Sequence, residues 1–153
     1  MNRVYRIRFY KSSYELDKDY ERFSEQEKLA ISSMNPDCFF DFNDLGGSYT
    51  IYLVFSPIDL KKYIDILDCN LIRYDISDLS EDIMSGGLCI EEEALSYVNA
   101  LNRFRWNSYK KKIEEWIYQR LDMDFVLDRI SQCGGLHKLR PVEQKFLRNF
   151  HGE

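Results

Sequence analysis

The chain has 153 residues but only two histidines, three prolines and seven glycines, and these shortages exclude several kinds of site. His137 and His151 both lie towards the end of the sequence, so a central imidazole base is excluded. The glycine pairs Gly46-Gly47 and Gly86-Gly87 belong to no GxGxxG or GxxxxGK(S/T) pattern, so no phosphate-binding loop is predicted. We expect no catalytic residue, no cofactor and no enzymatic activity.

Cysteine is also sparse, and its four copies, Cys38, Cys69, Cys89 and Cys133, form no Cys-x-x-Cys pair. Zinc sites are usually built on such pairs, so no metal site is predicted. Cys133 and His137 are near enough in sequence to be considered as a nucleophile and its base. Two glycines separate them, however, and disfavour a fixed geometry.

The sequence contains no long hydrophobic run. A membrane helix needs about 18 consecutive uncharged apolar residues, and no stretch of the sequence comes near that length. The opening "MNRVYRIRFY" alternates charged and apolar residues, which is not the pattern of a secretory signal. We therefore expect a cytoplasmic protein with reduced cysteines and no membrane partner.

Hydrophobic and aromatic side chains, in contrast, are plentiful. Hydrophobic residues make up 44% of the chain and aromatic residues 15%. Burial of this many apolar side chains is enough to offset the conformational entropy that the chain loses on folding. A chain of this length suits one core. We expect an α+β domain with a long C-terminal helix over residues 1–121 and a helical hairpin tail over residues 122–153.

Alternating apolar residues predict strands in the first half of the chain. Tyr5, Ile7 and Phe9 alternate with Arg6 and Arg8, as in a strand with one buried face. One or two helices follow. "CFFDFNDLGGSYTIYLVF" then predicts a β-hairpin, and "NLIRYDI" predicts a fourth strand. The order β-α-β-β-α-β predicts a ferredoxin-like split βαβ fold.

Two segments of the chain have helical periodicity. In "SPIDLKKYIDILD", Ser56 is the expected N-cap and Pro57 the first helical residue. Its apolar stripe comprises Leu60, Tyr63, Ile64 and Leu67. Residues 90–121 predict a long helix that can break near Asn107 and Ser108. That helix is longer than so small a sheet, so it is expected to overhang the sheet or turn.

The end of the chain, "MDFVLDRISQCGGLHKLRPVEQKFLRNF", predicts a helical hairpin. Gly134 is placed to end the first helix with a positive φ, and Pro141 and Glu143 begin the second. The expected buried side of the second helix is Val142, Phe146 and Leu147. Such a hairpin is stable only when it docks on other structure.

The run "VLDRISQCGGLHKLRPVEQKFL" resembles a short domain of unknown function found at the C-termini of diverse bacterial proteins, including rhomboid-type membrane proteases. The matching residues are Val126, Leu127, Asp128, Arg129, Ile130, Gly134, Leu139, Glu143, Phe146 and Leu147. Lys138 and Arg140 depart from the pattern, which has hydroxyl residues there, so the hydroxyl cap of the second helix is missing. The resemblance implies a bacterial protein with a recurring appendage, and it implies no chemistry.

Charge is unevenly distributed around a net value of −5. No Lys or Arg lies between Arg73 and Arg103, where the acids are Asp75, Asp78, Glu81, Asp82, Glu91, Glu92 and Glu93. Arg103, Arg105, Lys110, Lys111 and Lys112 follow with no acid between them. This contrast is typical of a solvated loop and helix face, and the alternative interpretation is a bipolar surface for a partner.

Two functions remain open from the sequence. The first is a protein-interaction module whose partner is an unknown protein or a second copy, because small sheets often pair to cover apolar area. The alternative is binding of RNA or other single-stranded nucleic acid on an open sheet face. The net negative charge and the lack of an RNP1-like run argue against nucleic acid.

The possible interaction surface comprises Arg6, Arg8, Tyr52, Arg73, Arg103, Arg105, Trp106, Lys110, Lys111 and Lys112. A ferredoxin-like sheet places the first four on the face opposite its two helices. The opposing interpretation is that the C-terminal helices cover this face and that Arg6 and Arg8 pair with Asp75 or other carboxylates.

Overall fold

A computed structural model of the chain describes residues 1–86 and 103–150 and, for residues 103–107 and 109, the backbone alone. The strands are β1 (Arg3–Phe9), β2 (Asp37–Asn43), β3 (Tyr49–Phe55) and β4 (Tyr74–Asp78). The helices are α1 (Ser13–Glu21), α2 (Glu25–Ser33), α3 (Pro57–Cys69), α4 (Ser80–Ser85), α5 (Arg103–Arg120), α6 (Met123–Cys133) and α7 (Pro141–Phe150). A 3₁₀ turn, Leu136–Lys138, lies between α6 and α7. The α+β class predicted from the sequence is confirmed.

The four strands form one antiparallel sheet in the order β2-β3-β1-β4. β1 lies inside the sheet, with Ile7 opposite Ile51 of β3 and Ile76 of β4. Successive side chains of a strand point to opposite faces. On β1 the apolar Tyr5, Ile7 and Phe9 therefore share one face, and Val4, Arg6 and Arg8 share the other.

The Ile7 face of the sheet packs against the helices of the first half of the chain. This core comprises Tyr5, Ile7, Phe9, Leu53 and Phe55 of the sheet and Phe23, Met34, Leu60, Ile66, Leu67 and Ile72 around it. Of the predicted α3 stripe, Leu60 and Leu67 are buried. Tyr63 and Ile64 pack against the same core and are partly buried. Burial raises the pKa of Tyr63 to about 12, so its hydroxyl stays protonated at neutral pH.

The opposite face of the sheet is covered in part by the C-terminal helices. The second core joins Val4, Phe39, Phe40, Phe42 and Tyr52 of the sheet to Ile83, Ile113, Trp116, Ile117, Leu121, Val126, Leu139 and Val142. The indole Nε1 of Trp116 also donates a hydrogen bond to the carbonyl of Asn2 at 3.3 Å. The sequence did not decide whether helices cover this face of the sheet. In the structure the C-terminal helices cover it at the Val4 end of β1.

The fourth strand begins later than predicted, because α3 and its cap extend into "NLIRYDI". The side-chain amide of Asn70 donates to the Ile66 carbonyl at 2.8 Å. Leu71 follows with a φ of 58° and is 88% exposed. A leucine in this left-handed region costs about 1 kcal/mol relative to ordinary backbone. The helix cap, and not a strand, fixes these two residues.

α5 is continuous over Arg103–Arg120, so the break expected near Asn107 and Ser108 is not found. Its buried face contributes Ile113, Trp116 and Ile117 to the second core. The earlier part of the predicted long helix, residues 90–102, lies outside the described residues.

The tail contains two helices, α6 and α7, with the 3₁₀ turn between them. Gly134 ends α6 with a φ of 88°, and Pro141 begins α7. Arg140 precedes α7 at the N-cap position and has no hydroxyl to cap the helix. Glu143 replaces part of that cap, because its carboxylate accepts a hydrogen bond from the Arg140 backbone N–H at 3.1 Å. This bond is the half of a capping box that needs no hydroxyl.

Glu143 is completely buried, although its sequence position is that of a solvated acid in a first helical turn. Its carboxylate accepts hydrogen bonds from Nε of Arg129 and Nε of Arg140, each at 3.0 Å. Desolvation alone would raise the pKa of Glu143, but the hydrogen bonds outweigh it and lower the pKa below its ordinary value of 4.5. The buried carboxylate is therefore ionised at neutral pH and paired with two guanidinium groups.

The same two arginines hold the end of α4. Arg140 donates to the carbonyls of Ile83 and Met84, and Arg129 donates to that of Ser85. A cation is favourable there because the last carbonyls of a helix lack partners and carry the negative end of its dipole. The three charged side chains and these carbonyls, the Glu143 cluster, join the tail to the segment after β4.

Ser56 occupies the predicted N-cap position of α3, but its hydroxyl makes no capping hydrogen bond. α1 and α2 instead have complete capping boxes, in which Ser12 is paired with Glu15 and Ser24 with Glu27. The predicted start of α3 at Ser56 and Pro57 is therefore confirmed, but the predicted capping hydrogen bond from the Ser56 side chain is absent.

We predict that Ser24→Ala lowers the free energy of unfolding by about 1 kcal/mol, because an orphan N–H loses its acceptor. Ser56→Ala is the matched control and should change it by less than about 0.5 kcal/mol. Urea denaturation followed by circular dichroism measures both. Equal losses for the two variants would contradict the capping assignment.

Replacement of the buried carboxylate tests the Glu143 cluster. Glu143→Ala should cost about 3–5 kcal/mol, because it leaves two partly buried guanidinium groups without their anion. Asp128→Ala removes an exposed acid of α6 that forms no ion pair within the described residues, and it should change stability by less than about 0.5 kcal/mol. Similar losses for the two variants would show that Glu143 contributes no more than a surface acid.

The stability that Glu143 provides should also depend on pH. Because its pKa is lowered on folding, the contribution is complete above about 4.5 and is lost as pH falls through the folded-state pKa. The difference in unfolding free energy between the wild type and Glu143→Gln should therefore shrink as the pH is lowered below 4.5.

Candidate interaction surface on the sheet

Strand pairing brings Arg6 and Arg8 together with polar residues of the neighbouring strands. Their cross-strand partners are Tyr52 and Thr50 of β3 and Ser77 and Asp75 of β4, in that order. Directly opposite residues of an antiparallel pair project to the same side of the sheet. All six side chains therefore belong to the face opposite α3.

These side chains surround a recess of about 260 Å³, the sheet recess. Its lining comprises Arg6, Arg8, Phe42, Asp44, Thr50, Tyr52, Asp75 and Ser77. Two guanidinium groups and two carboxylates are among them, so the formal charges of the lining cancel. The sheet recess is a polar surface of mixed sign.

Arg6 and Arg8 of the sheet recess donate hydrogen bonds to neighbouring side chains. Nη2 of Arg6 donates to the Ser77 hydroxyl at 3.1 Å. Arg8 donates from Nε to the Ser48 hydroxyl at 3.3 Å and from Nη2 to Asp44 at 3.4 Å. The latter contacts are long for hydrogen bonds, so Arg8 is held loosely.

The two carboxylates are held in different ways. The hydroxyl of Ser48 and the backbone amides of Ser48 and Gly46 donate to Asp44, and they lower its pKa although burial opposes this. Asp44 is thus the acceptor that shapes the β2–β3 turn. Asp75 instead accepts from the hydroxyl of Tyr10, and this hydrogen bond raises the pKa of Tyr10.

The predicted pairing of Arg8 with a carboxylate is present, and its partner is Asp44 instead of Asp75. Asp44, which the sequence analysis did not single out, accepts from Arg8, while Asp75 binds Tyr10. The Asp44-x-x-Gly47 spacing is a recognised turn signal, and it could have placed Asp44 beside the end of β3.

The aromatic side chains of this face are buried. Tyr52 has no exposed surface, and Phe40 and Phe42 are 2% and 8% exposed. Their ring centroids lie 6.0 to 6.4 Å from that of Tyr52, within the second core. None of these rings presents a face to solvent on which a base could stack.

Arg73 does not line the sheet recess and lies against Tyr10. Its carbonyl accepts a hydrogen bond from the backbone N–H of Tyr10 at 3.4 Å. Its guanidinium lies 5.3 Å from the centroid of the Tyr10 ring, and that of Arg8 lies 5.9 Å from the same centroid. Tyr10 thus contacts both Arg73 and Arg8.

Lys110, Lys111 and Lys112 of α5 are not among the residues that line the sheet recess. Nζ of Lys112 binds Asp37 of β2 at 2.8 Å. Lys110 and Lys111 are exposed. The side chains of Arg103, Arg105 and Trp106, and residues Glu91, Glu92 and Glu93 of the proposed bipolar surface, lie outside the described residues.

The described residues hold no group of three or more His, Cys, Asp and Glu side chains that could bind a metal ion. The thiol of Cys133 lies 3.4 Å from the Gly135 carbonyl and 3.9 Å from that of Ile130, and His137 is exposed. Among the helices of residues 1–86 and 103–150, none combines the length and hydrophobicity of a membrane span.

Comparison with known proteins gives no relative. The chain matches no protein-family model, no curated protein and no solved structure.

Proposed function

We propose that the protein is a non-enzymatic, cytoplasmic interaction module that binds a segment of a partner protein in the sheet recess. The observation that carries this proposal is the mixed sign of the recess, where Arg6 and Arg8 lie beside Asp44 and Asp75. A polypeptide can present acidic and basic side chains together to such a surface. Charge complementarity of this kind selects the partner and fixes its register.

One group of the sheet recess is available for new contacts. The side chain of Arg8 is 44% exposed, its hydrogen bonds to Ser48 and Asp44 are long, and its guanidinium lies 5.9 Å from the centroid of the Tyr10 ring. A carboxylate of the partner can replace the long contacts of Arg8 with a bidentate pair, which is shorter and stronger.

Binding of single-stranded nucleic acid is the alternative function, and the geometry of the recess favours it less. Stacking needs exposed rings, whereas Tyr52 and Phe42 are buried. Phosphates that approached Arg6 and Arg8 would also meet the carboxylates of Asp44 and Asp75.

We also propose that residues Arg3–Asp78 belong to the ferredoxin-like, split βαβ type. The strand order β2-β3-β1-β4 with antiparallel neighbours supports this proposal. The helices between β1 and β2 and between β3 and β4 support it as well.

The likeness of the tail to a short bacterial C-terminal domain remains a prediction. It is supported by the ion pair between Arg129 and Glu143, because both are matching positions of that pattern. We propose that the tail is a docked appendage of this type.

Selection from a displayed library of random peptides on the immobilised protein tests the proposed function. We expect enriched peptides to contain acidic residues, because they must engage Arg8. Binding of these peptides should be lost in Arg6→Glu/Arg8→Glu. It should be retained in Lys61→Glu/Lys62→Glu, which reverses two exposed charges of α3 on the other side of the sheet.

Mixed single-stranded RNA is the competing probe on the same variants. Binding of RNA should be absent at low salt. If RNA binds, with a salt dependence of roughly 0.7 log unit per phosphate contact, and only the Arg6→Glu/Arg8→Glu variant loses it, nucleic-acid binding replaces the proposed function. Peptide binding that survives charge reversal at Arg6 and Arg8 would place the site elsewhere.

A further inference from the structure

A groove of about 400 Å³ runs between α5 and α7, on a part of the surface that shares no residue with the sheet recess. The helices are in direct contact there, since the rings of Tyr118 and Phe146 meet edge to face at 6.0 Å. Asn149 also donates to the Tyr118 hydroxyl at 3.0 Å. The floor of the groove includes Tyr118, Pro141 and Val142.

The two walls of this groove carry opposite charges. Glu114 and Glu115 stand on the α5 wall, and Lys145 and Arg148 stand on the α7 wall. All four are exposed, and none forms an ion pair within residues 1–86 and 103–150. Lys111 also lines the α5 side, so that wall keeps a net negative charge of one.

An aromatic row extends from the groove to the exposed end of α7. The ring of Phe146 packs between Tyr118 and Phe150, with centroids 6.0 Å from each. Phe150 is 59% exposed. The groove therefore offers apolar area beside its unpaired charges.

We infer that the groove is a self-association surface and that its occupant is a second copy of this chain. With a two-fold axis parallel to the groove, the α5 wall of each copy faces the α7 wall of the other. Glu114 and Glu115 then meet Lys145 and Arg148 twice, once in each direction. An isologous contact needs a surface that complements itself, and one acidic wall beside one basic wall meets that condition.

A second copy fits the groove better than an unrelated partner. Each wall already has its complement on the same molecule, so dimerisation pairs Glu114 and Glu115 with Lys145 and Arg148 with no further sequence requirement. Within one chain, Nζ of Lys145 lies over the Tyr118 ring, 5.4 Å from its centroid, and forms no ion pair with the described residues. The same contact covers Tyr118 on the floor of the groove, and aromatic residues are favoured at the centre of interfaces. The inference is independent of the proposed function, because dimerisation leaves the sheet recess unused.

Charge reversal of one wall at a time tests the inference by sedimentation equilibrium. The wild type should sediment as twice the chain mass of 18.4 kDa. Glu114→Lys/Glu115→Lys makes both walls basic, and Lys145→Glu/Arg148→Glu makes both acidic, so each variant alone should lose the dimer. An equimolar mixture of the two should recover it, because each wall again meets its opposite. The variant with all four substitutions should also dimerise.

Lys61→Glu/Lys62→Glu serves as the control for net charge and should remain a dimer. Circular dichroism of every variant shows whether the monomer stays folded, and the mixture distinguishes a misfolded variant from a repelled one. A monomeric wild type, dimers of a single-wall variant, or failure of the mixture to associate would each overturn the inference. Peptide binding in the sheet recess should be unchanged in all groove variants, so failure here leaves the proposed function standing.

Discussion

The buried carboxylate of Glu143 is the point on which the C-terminal half of the molecule depends. A lone buried anion would be protonated or expelled, and here Arg129 and Arg140 compensate it. The same guanidinium groups satisfy the last carbonyls of α4, so one set of charges fixes two elements. Replacing a whole buried cluster by apolar residues is often neutral or stabilising, whereas removing one partner alone leaves a buried charge uncompensated and is costly.

The position of the tail determines which part of the sheet face is accessible to a partner. Val126, Leu139 and Val142 of the tail pack in the same core as Val4 and Tyr52, so the aromatic part of that sheet face is inside the protein. What remains accessible is the sheet recess, with charges of both signs. On α5 and α7 the same docking leaves a groove whose walls are also of opposite sign. Both candidate surfaces thus carry charges of both signs, and this shared feature is the basis of the two proposals.

Elements with a local signal could be predicted from the sequence. The β1 alternation, the β2–β3 hairpin and the Gly134 and Pro141 boundaries each depend on a few neighbouring residues. Features that depend on distant partners could not. Glu143 has the sequence position of a solvated cap residue, and only the approach of Arg129 and α4 makes it a buried anion. Asp44 is likewise a plain turn residue until strand pairing brings Arg8 beside it. Tyr52 lies on the strand face that was expected to be open, and it is buried against Phe40 and Phe42 of β2.

The central claim is that the tail and the sheet are one cooperative unit, held by the Glu143 cluster and the shared core. Hydrogen–deuterium exchange of the wild type under native conditions tests it most directly, because it resolves the opening of each element. We predict that the amides of α6 and α7 exchange with the same opening free energy as those of β3. Exchange of α6 and α7 at the rate of an unprotected hairpin, with β3 still protected, would contradict the account.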